Sequence, residues 1–267
     1  MIEFLVSTTN RTDLHFLDKI FEHVKGDYSI LVINQCIDIP VPDSIVSDKE
    51  NVRVLSVSER GTSRSRNLAI QNAIGDICTF TDDDLIYSSD VLSVVQAAFS
   101  QVDSDIITFQ TAICGSDVKM KSYRDTSFKH NKRTILAVGD WEIFFKKESI
   151  GSIRLDERFG LGCEFPACEY HIFLMDCYKE GLKIHYEPHA VVCHPFVVTT
   201  GVKFLPYIEI ARGAGFVRML GIFGFPAAIY FAIKKYPIYK SKNSFFSEVG
   251  YLFAGCLKIY LHGLHKK

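Results

Sequence analysis

Apolar and polar positions alternate along the first hundred residues in a pattern that predicts strands separated by helices. Short apolar runs rich in β-branched residues have the length of buried strands, and they cover residues 2–8, 29–34, 52–57 and 77–81. Helical spacing of apolar residues follows the first run and recurs over Ser63–Ala73, which ends at Gly75. Strands that alternate with helices predict βαβ units, and therefore a mainly parallel sheet covered by helices on both faces.

The middle of the chain continues this α/β pattern. The spacing predicts helices over Leu92–Phe99 and Glu169–Gly181, and strands over Ile106–Gln110, Gly139–Lys146 and Ile184–His194. Residues 119–132 are polar and lack periodicity, so we interpret them as a loop. The strand over 139–146 contains the only tryptophan of the chain, Trp141, which we expect to face the ligand site.

From Phe204 onward the sequence is rich in apolar and aromatic residues interrupted by cations. Met219–Ile233 has no charge and is followed by Lys234 and Lys235, and Phe245–Leu264 is a second apolar stretch closing on residues 265–267. A spanning helix needs roughly 20 apolar residues, and the first stretch is shorter. We interpret these stretches as helices in a membrane interface, with cations toward anionic headgroups. The alternative is that they pack on the catalytic core.

Composition narrows the class of protein. The 267 residues are 48% hydrophobic, which is ample for a core, and a net charge of −1 gives no reason to expect nucleic-acid binding. The eight cysteines are scattered without a C-x-x-C pair, which predicts reduced, buried thiols in a cytosolic protein. Met1 to Glu3 lead directly into an apolar run, so we expect no secretory signal.

Three consecutive carboxylates, Asp82–Asp84, follow the strand at 77–81. Their mutual repulsion is costly unless a positive group lies among them, and Mg²⁺ or Mn²⁺ prefers such oxygen ligands. A solvated acidic turn or a helix N-cap is the simpler explanation. However, other polar stretches, at 9–11, 34–38 and 59–61, also follow predicted strands, where ligands of parallel sheets gather.

The order of these motifs resembles family 2 glycosyltransferases of the GT-A fold. The resemblance rests on residues 7–11, 60–67, 80–84, 159–169 and on His194. It implies transfer of a sugar from a nucleotide diphosphate donor to an acceptor hydroxyl, with inversion at the anomeric carbon. It also implies a GT-A catalytic domain over 1–200, with a nucleotide-sugar half over about 1–110 and an acceptor half over about 111–200, followed by an extension over 201–267.

The resemblance assigns roles to individual residues. Asp84 would bind Mn²⁺ or Mg²⁺, and His194 resembles the family's additional metal ligand, whose imidazole suits Mn²⁺ better. Asp82 would hold the donor ribose or sugar. The donor-binding set is Thr8, Asn10, Arg11, Asp38, Arg60, Arg64, Asn67, Asp82 and Asp83, with Arg66 a further candidate. Trp141 would contact the acceptor.

Inversion in one step needs a general base, which the family supplies from a Glu-Asp pair at a helix start. Here the matching place reads Glu169-Tyr170, and a phenol is a poor base at neutral pH. Glu169 is therefore the preferred base, with Glu164 a close competitor and Asp156 a distant one.

The expected partners are a nucleotide-sugar donor, most simply a UDP-sugar, and a glycan or lipid-linked oligosaccharide acceptor of bacterial polysaccharide synthesis. The expected location is the cytoplasm, peripheral on the inner face of the cell membrane. Two alternatives stay open. A nucleotidyltransferase would show a Gly-rich basic loop after the first strand, which Thr8-Thr9-Asn10 lacks. A catalytically inactive sugar- or lipid-binding homologue is compatible with Tyr170.

Overall fold

The computed structural model describes residues 1–42, 45, 47, 49–195 and 204–264. The predicted domain boundary at residue 200 and the cations at 265–267 lie outside these residues. The strands are β1 Ile2–Thr9, β2 Tyr28–Gln35, β3 Val52–Val57, β4 Ile77–Asp82, β5 Ile86–Tyr87, β6 Ile106–Ile113, β7 Phe128–Lys129, β8 Ile143–Lys146 and β9 Ile184–His194. The helices are α1 Phe16–Ile20, α2 Thr62–Asn72, α3 Val91–Gln101, α4 Lys147–Ile150, α5 Glu169–Lys179, α6 Pro206–Leu220, α7 Gly224–Tyr239 and α8 Phe245–Leu264.

The described strands form one sheet in the order β3-β2-β1-β4-β8-β6-β9-β5, and β7 pairs with β9. The first four strands in this order run parallel. β8 is antiparallel to both of its neighbours, and β6 and β9 are parallel to each other. The prediction of a mainly parallel α/β sheet is therefore confirmed. Most successive residues of β1 and β2 are buried, because both faces of these strands are covered.

A buried carboxylate joins β1 to its surroundings. Glu3 is fully buried, and its Oε1 accepts hydrogen bonds from Ser29 Oγ and from Arg53 Nη2, the latter at 2.8 Å. Its Oε2 accepts the backbone N–H groups of Ile74 and Gly75 at 2.6 and 2.8 Å. A Cβ atom at Gly75 would lie 2.5 Å from the Glu3 Cβ, so this turn requires glycine. The charge is thus fully hydrogen-bonded, as a buried charge must be.

The chain divides into two compact units. The first comprises Met1–Arg60, Arg64–Arg154 and Cys177–Val197, and it contains the sheet. The second comprises Gly61–Ser63, Leu155–Asp176 and Val198–Lys267. Its core joins Phe159, Phe165, Ile172 and Met175 to buried residues of α6, α7 and α8. The C-terminal helices therefore share a core with the segment 155–176, which is the alternative that the sequence left open beside a membrane interface.

The helices α6 and α8 cross at glycines. A Cβ atom at Gly213 would lie 1.8 Å from the carbonyl oxygen of Leu252, and one at Gly255 would lie 1.8 Å from that of Ile210. Cys256 Sγ donates to the carbonyl of Gly213 at 3.3 Å. Because each glycine contacts the backbone of the opposite helix, the two helices approach as closely as their main chains allow.

Two glutamates are fully buried at the same helix pair, Glu209 on α6 and Glu248 on α8. Arg212 pairs with Glu209, and Asn243 donates to Glu248 at 3.0 Å. Burial raises the pKa of Glu209 to about 8, the charge of Arg212 opposes the shift, and a hydrogen bond to the Glu248 carboxyl adds to it. A hydrogen bond between two carboxyl groups requires a proton on one of them. Below about pH 8 the folded protein therefore keeps a proton on this pair.

This shared proton predicts that stability falls as the pH rises. The pKa of Glu209 is higher in the folded state (about 8) than its ordinary value of 4.5, so the stabilisation is complete below about 4.5 and is lost as the pH rises through about 8. We expect Glu209→Gln to remove this dependence. The measurement is the free energy of unfolding in urea from pH 5 to 9 for both proteins. A constant difference between wild type and variant would contradict a shared proton.

Two predictions from the sequence are wrong in detail. Trp141 lies in a 3₁₀ turn, Asp140–Glu142, and β8 begins only after it. The cause is the buried carboxylate of Glu142, which accepts the backbone N–H of Gly139 at 2.8 Å and the Tyr123 hydroxyl at 2.6 Å. Residues 119–132 are largely irregular, as expected, but include the short strand β7.

The expectation that all cysteines are reduced is also wrong. Cys114 and Cys193 form a disulfide, with Cα atoms 4.9 Å apart. They are 79 residues apart in sequence, and parallel pairing of β6 with β9, which places Ala112 opposite Cys193, brings them together. The other six cysteines are free thiols.

Candidate active site

The first group of site residues lies where β1 and β4 end side by side. The chain leaves β1 toward β2 and later returns to β4 on the other side of β1, so the loops after these two strands diverge. Asp83, after β4, accepts a hydrogen bond from Thr8 Oγ1 at 2.6 Å and from Arg11 Nη2 at 2.7 Å. Three of the predicted donor-binding residues are therefore in contact, and the charge of Asp83 is balanced by Arg11.

The Asn10 side chain forms hydrogen bonds with the neighbouring loop that follows β2. Its backbone has φ 55°, a left-handed conformation that asparagine tolerates better than most residues. Its Oδ1 accepts the backbone N–H groups of Ile37 and Asp38 at 2.7 and 3.0 Å, and its Nδ2 donates to the Asp38 carboxylate at 2.9 Å. Asn10 and Asp38 therefore form one unit beside the candidate donor site, with the Asp38 side chain exposed.

Asp82, the first of the three carboxylates, forms an ion pair with Arg66 of α2. The Arg66 side chain is only 2% exposed, and its guanidinium carbon lies 5.5 Å from the centre of the Phe80 ring. The donor-binding residues predicted from the sequence include Arg64, with Arg66 only a further candidate. Periodicity could have identified it, because Arg66 precedes the buried Ala69 and Ile70 by three and four positions and so shares their helix face.

Asp84 faces His194 through the pairing of β5 with β9. This pairing is antiparallel and places Ile86 opposite Cys193, which brings the residues just before β5 beside the end of β9. The distance from His194 Nε2 to Asp84 Oδ2 is 3.6 Å. The other ring nitrogen, Nδ1, lies within hydrogen-bonding distance of the Pro195 carbonyl, which can only accept, so Nδ1 is the nitrogen that carries the proton.

In the neutral ring, Nε2 therefore presents a lone pair toward a carboxylate oxygen. Two acceptors that face each other in this way suit a cation, and a carbonyl partner on the second nitrogen is typical of metal-binding histidines. Burial raises the pKa of Asp84, the His194 charge lowers it, and the charges of Asp82 and Asp83 raise it further. Among the described residues no group of three or more His, Cys, Asp or Glu side chains could hold a metal, so this pair would need further ligands from substrate or water.

Four further residues predicted for the site belong to the first unit. Arg60 and Arg64 are exposed, and Asn67 is partly buried on α2. Trp141 stacks on the His194 imidazole, with ring centres 4.4 Å apart and an angle of 28° between the planes. The structure thus brings Trp141 to the candidate metal ligand.

In the second unit, Glu169 is the first residue of α5 and is buried. Cys168 before it has φ 78°, a conformation rare for a residue with a side chain and frequent at functional sites. Gly160 has φ 109°, and a Cβ atom there would lie 3.4 Å from the Glu169 carboxyl carbon and 3.2 Å from Ser63 Oγ. The glycine of the motif at 159–162 therefore leaves space for this carboxylate.

Each of the two competing candidate bases contacts cationic side chains. Glu164 forms an ion pair with Lys258 at 2.8 Å. Asp156 accepts hydrogen bonds from Arg158 and Arg218; burial alone would raise its pKa, but these two guanidinium groups lower it to about 2. A carboxylate with so low a pKa is a weak proton acceptor. These contacts weaken the case for Asp156 as the base and give Glu164 a cationic partner.

Comparisons with known proteins bear on the family and on the fold. The family model described as "Glycosyl transferase family 2" matches residues 4–161. The crystal structure of S. aureus TarS 1–349 with UDP-GlcNAc is similar over 97% of this chain and 89% of that chain, with a TM-score of 0.64 and 14% identity. The complex of TarS 1–349 with UDP is similar over 90% of this chain and 73% of that chain, with a TM-score of 0.59 and 14% identity. Another crystal structure of S. aureus TarS is similar over 97% of this chain and 54% of that chain, with a TM-score of 0.62 and 13% identity.

No curated protein sequence matches the chain at a significant level. The structural similarity shows a shared fold, in agreement with the GT-A prediction. The family model covers more than half of the 267 residues. This chain belongs to glycosyl transferase family 2.

Proposed function

We propose that this glycosyltransferase uses a divalent cation to transfer a sugar, with inversion, from a UDP-sugar to a hydroxyl of a lipid-linked glycan on the cytoplasmic face of a bacterial membrane. The observation that carries the proposal is the pair formed by Asp84 and His194 beside the ends of β1 and β4, with its two acceptor atoms 3.6 Å apart. The TarS complexes with UDP and UDP-GlcNAc support a UDP-sugar donor.

Asp84 and His194 would hold the cation, and Mn²⁺ suits the imidazole better than Mg²⁺. Bound there, the cation would supply the counter-charge for the departing diphosphate. Asp82 and Asp83 are balanced by Arg66 and Arg11, so they shape the loop and leave Asp84 as the carboxylate that faces the cation. This arrangement explains how three carboxylates coexist on one loop.

Arg60 and Arg64 are exposed and would bind the phosphates of the donor, because guanidinium groups form strong charge-assisted hydrogen bonds with phosphate oxygens. Asn10 and Asp38 would contact the nucleoside, and Trp141 the acceptor. Glu169 would accept the proton of the acceptor hydroxyl as the sugar transfers. Its place at a helix start is supported by Cys168 and Gly160, whose backbones adopt left-handed conformations.

The proposal is tested by donor hydrolysis in the absence of acceptor. We expect wild-type protein to release UDP slowly from a UDP-sugar in the presence of Mn²⁺ and to stop in excess chelator. UDP release is measured for a panel of nucleotide sugars. A melting temperature raised by UDP with Mn²⁺, without hydrolysis or transfer from any nucleotide sugar, would identify an inactive binding homologue. Saturating ligand at about 100 times its dissociation constant adds roughly 2.7 kcal/mol, which is readily measured.

Membrane association is supported by the surface of α7, where small residues are buried and large apolar residues are exposed. Its buried residues include the small Gly224, Ala228 and Ala232, while large apolar side chains on and beside it are exposed. These are Ile222, Phe223, Ile229, Tyr230, Ile233, Tyr236 and Ile238. Exposed lysines accompany them at 234, 240 and 242. A helix that faces water on this side would bury the large residues instead, whereas a lipid interface accepts both the apolar side chains and the cations.

Residues 206–239 form a helical stretch of 34 residues that is long and apolar enough to span a membrane. The stretch is not straight, however. It breaks at Gly221, where φ is 60°, and the Arg212 guanidinium carbon lies 5.5 Å from the centre of the Phe231 ring. In a continuous helix these residues would be roughly 28 Å apart. The stretch therefore folds back as α6 and α7, which favours association with one face of a bilayer over spanning.

We expect the double variant Phe223→Ser, Ile233→Ser to bind anionic vesicles at least about tenfold more weakly, because burying each such side chain stabilises by roughly 1.5–3 kcal/mol. Cosedimentation with vesicles of phosphatidylglycerol and phosphatidylcholine measures the change. The matched control, Ile74→Ser with Val118→Ser, removes apolar side chains that are about as exposed but lie in the first unit. Equal binding by all three proteins would leave α7 without a membrane role.

A further inference from the structure

The position of the His194 imidazole depends on the end of a strand. β9 ends at His194, and its last pair with β6 joins Ile113 to His194. Beyond that pair, the backbone N–H of Cys114 donates to the His194 carbonyl at 3.1 Å. Strand ends open more readily than strand centres, because they have fewer neighbouring contacts to break. The fixed orientation of His194 therefore needs an additional constraint.

The disulfide supplies that constraint at the same place. Cys193 immediately precedes His194, and Cys114 immediately follows the Ile113 that pairs with it. The Cys114–Cys193 bond thus joins the two strands covalently at the last rung of their ladder. Among all eight cysteines this is the one disulfide, and it lies one residue from a candidate metal ligand.

The same cysteine also supports the opposite side of the cation site. β5 has only two residues, and its pairs with β9 are Ile86 with Cys193 and Tyr87 with Val192. Asp84 lies two residues before Ile86. Both candidate ligands, Asp84 and His194, are therefore attached within two residues of the backbone that the disulfide holds.

Trp141 provides a reporter of this arrangement. It is the only tryptophan of the chain, and it stacks on the His194 ring at 4.4 Å between centres. Its fluorescence therefore reports changes in the surroundings of the His194 ring. A paramagnetic cation such as Mn²⁺ bound at His194 would quench this fluorescence.

We propose that Cys114 and Cys193 are positioning residues for the cation site, and that opening their disulfide weakens cation binding at Asp84 and His194. The inference rests on the proposed metal-dependent function. A small dithiol opens the bond by thiolate attack: the Cys114–Cys193 bond breaks, the dithiol closes to its cyclic disulfide, and two protons and two electrons pass to the cysteines. The freed end of β9 then keeps its backbone hydrogen bonds and the stacking of His194 on Trp141 but loses the covalent link to β6, so Nε2 samples positions away from Asp84.

The test measures Mn²⁺ binding to the full chain in its oxidised form and after reduction with dithiothreitol, which is removed under anaerobic conditions. Free Mn²⁺ is measured by electron paramagnetic resonance with and without UDP, and Trp141 quenching is measured in parallel. Thiol titration of denatured protein must rise from six to eight groups on reduction. Variants are Cys114→Ser with Cys193→Ser, His194→Ala, and the control Cys256→Ser, which keeps the disulfide and a donor to Gly213.

We expect reduction to raise the dissociation constant for Mn²⁺ about tenfold, within the 10–100-fold range for lost supporting contacts around a metal. The double serine variant should match the reduced protein and no longer respond to dithiol, whereas the control should respond like wild type. Equal affinity before and after reduction, with eight thiols counted, would overturn this inference alone. Failure of the oxidised wild type to bind Mn²⁺ at all, with or without UDP, would overturn the proposed metal dependence and this inference with it.

Discussion

Replacement of Asp84 by alanine is expected to abolish sugar transfer and to remove the Mn²⁺-dependent part of UDP binding. Its carboxylate is half exposed, and within the described part of the chain its charged-group contact is His194 Nε2 at 3.6 Å. The substitution should therefore leave the melting temperature unchanged. Loss of an electrostatic stabiliser of a developing charge costs roughly 10²–10³ in turnover, and loss of a cation that also binds the donor should cost more.

The measurements are transfer rate and UDP affinity with and without Mn²⁺. The control is Asp103→Asn, which removes another carboxylate charge at a surface ion pair with Lys183, away from the site loop. His194→Ala should show a weaker form of the same defect, because it removes one ligand and leaves the carboxylate. Full activity of Asp84→Ala, or of wild type in excess chelator, would refute the metal-dependent mechanism.

Replacement of Glu169 by glutamine should lower turnover by roughly 10²–10⁴ and leave donor affinity unchanged. Glutamine keeps the size of the side chain and can still accept hydrogen bonds, so the space beside Gly160 stays filled. It cannot take a proton from the acceptor hydroxyl. The readouts are kcat and KM for acceptor, and UDP affinity as the test of an intact donor site. Glu157→Gln, an exposed glutamate of the same unit, is the control.

Glu164→Gln decides between the two candidate bases. Its ion pair with Lys258 occupies one carboxylate oxygen, so we expect a small effect on turnover. A loss of 10²-fold or more with Glu164→Gln, together with near-normal turnover of Glu169→Gln, would move the catalytic role to Glu164. Normal turnover of both variants would mean that the proton leaves by another route.

The sheet was predictable because local signals agreed. β1, β2, β3 and β4 are short apolar runs bounded by polar residues, and each forms within two residues of its predicted limits. The family resemblance then connected Asp84 with His194, 110 positions later in the sequence. Periodicity alone offers no such link, because it describes only neighbours along one element.

The rest depended on contacts between distant segments. The disulfide forms because β6 and β9 pair in parallel, and the sequence alone does not show which strands are neighbours. The turn at Trp141 follows from contacts of the buried Glu142 with Lys121 and Tyr123 about twenty residues earlier. The acidic pair on α6 and α8 combines residues that each look like an exposed glutamate in sequence. Such buried polar groups become recognisable only when their partners are known.

The crossing of α6 and α8 at Gly213 and Gly255 has a consequence for biosynthesis. A chain leaves the ribosome from its N-terminus, and a compact unit can close only when all its segments have been translated. The residues around Glu169 share their core with Leu252 and Cys256. More than eighty further residues must therefore be translated after Glu169 before these packing partners are available. Expression of shortened chains that stop before Gly255 should consequently yield a folded sheet with an unpacked Glu169 segment, even though every predicted site residue has been synthesised.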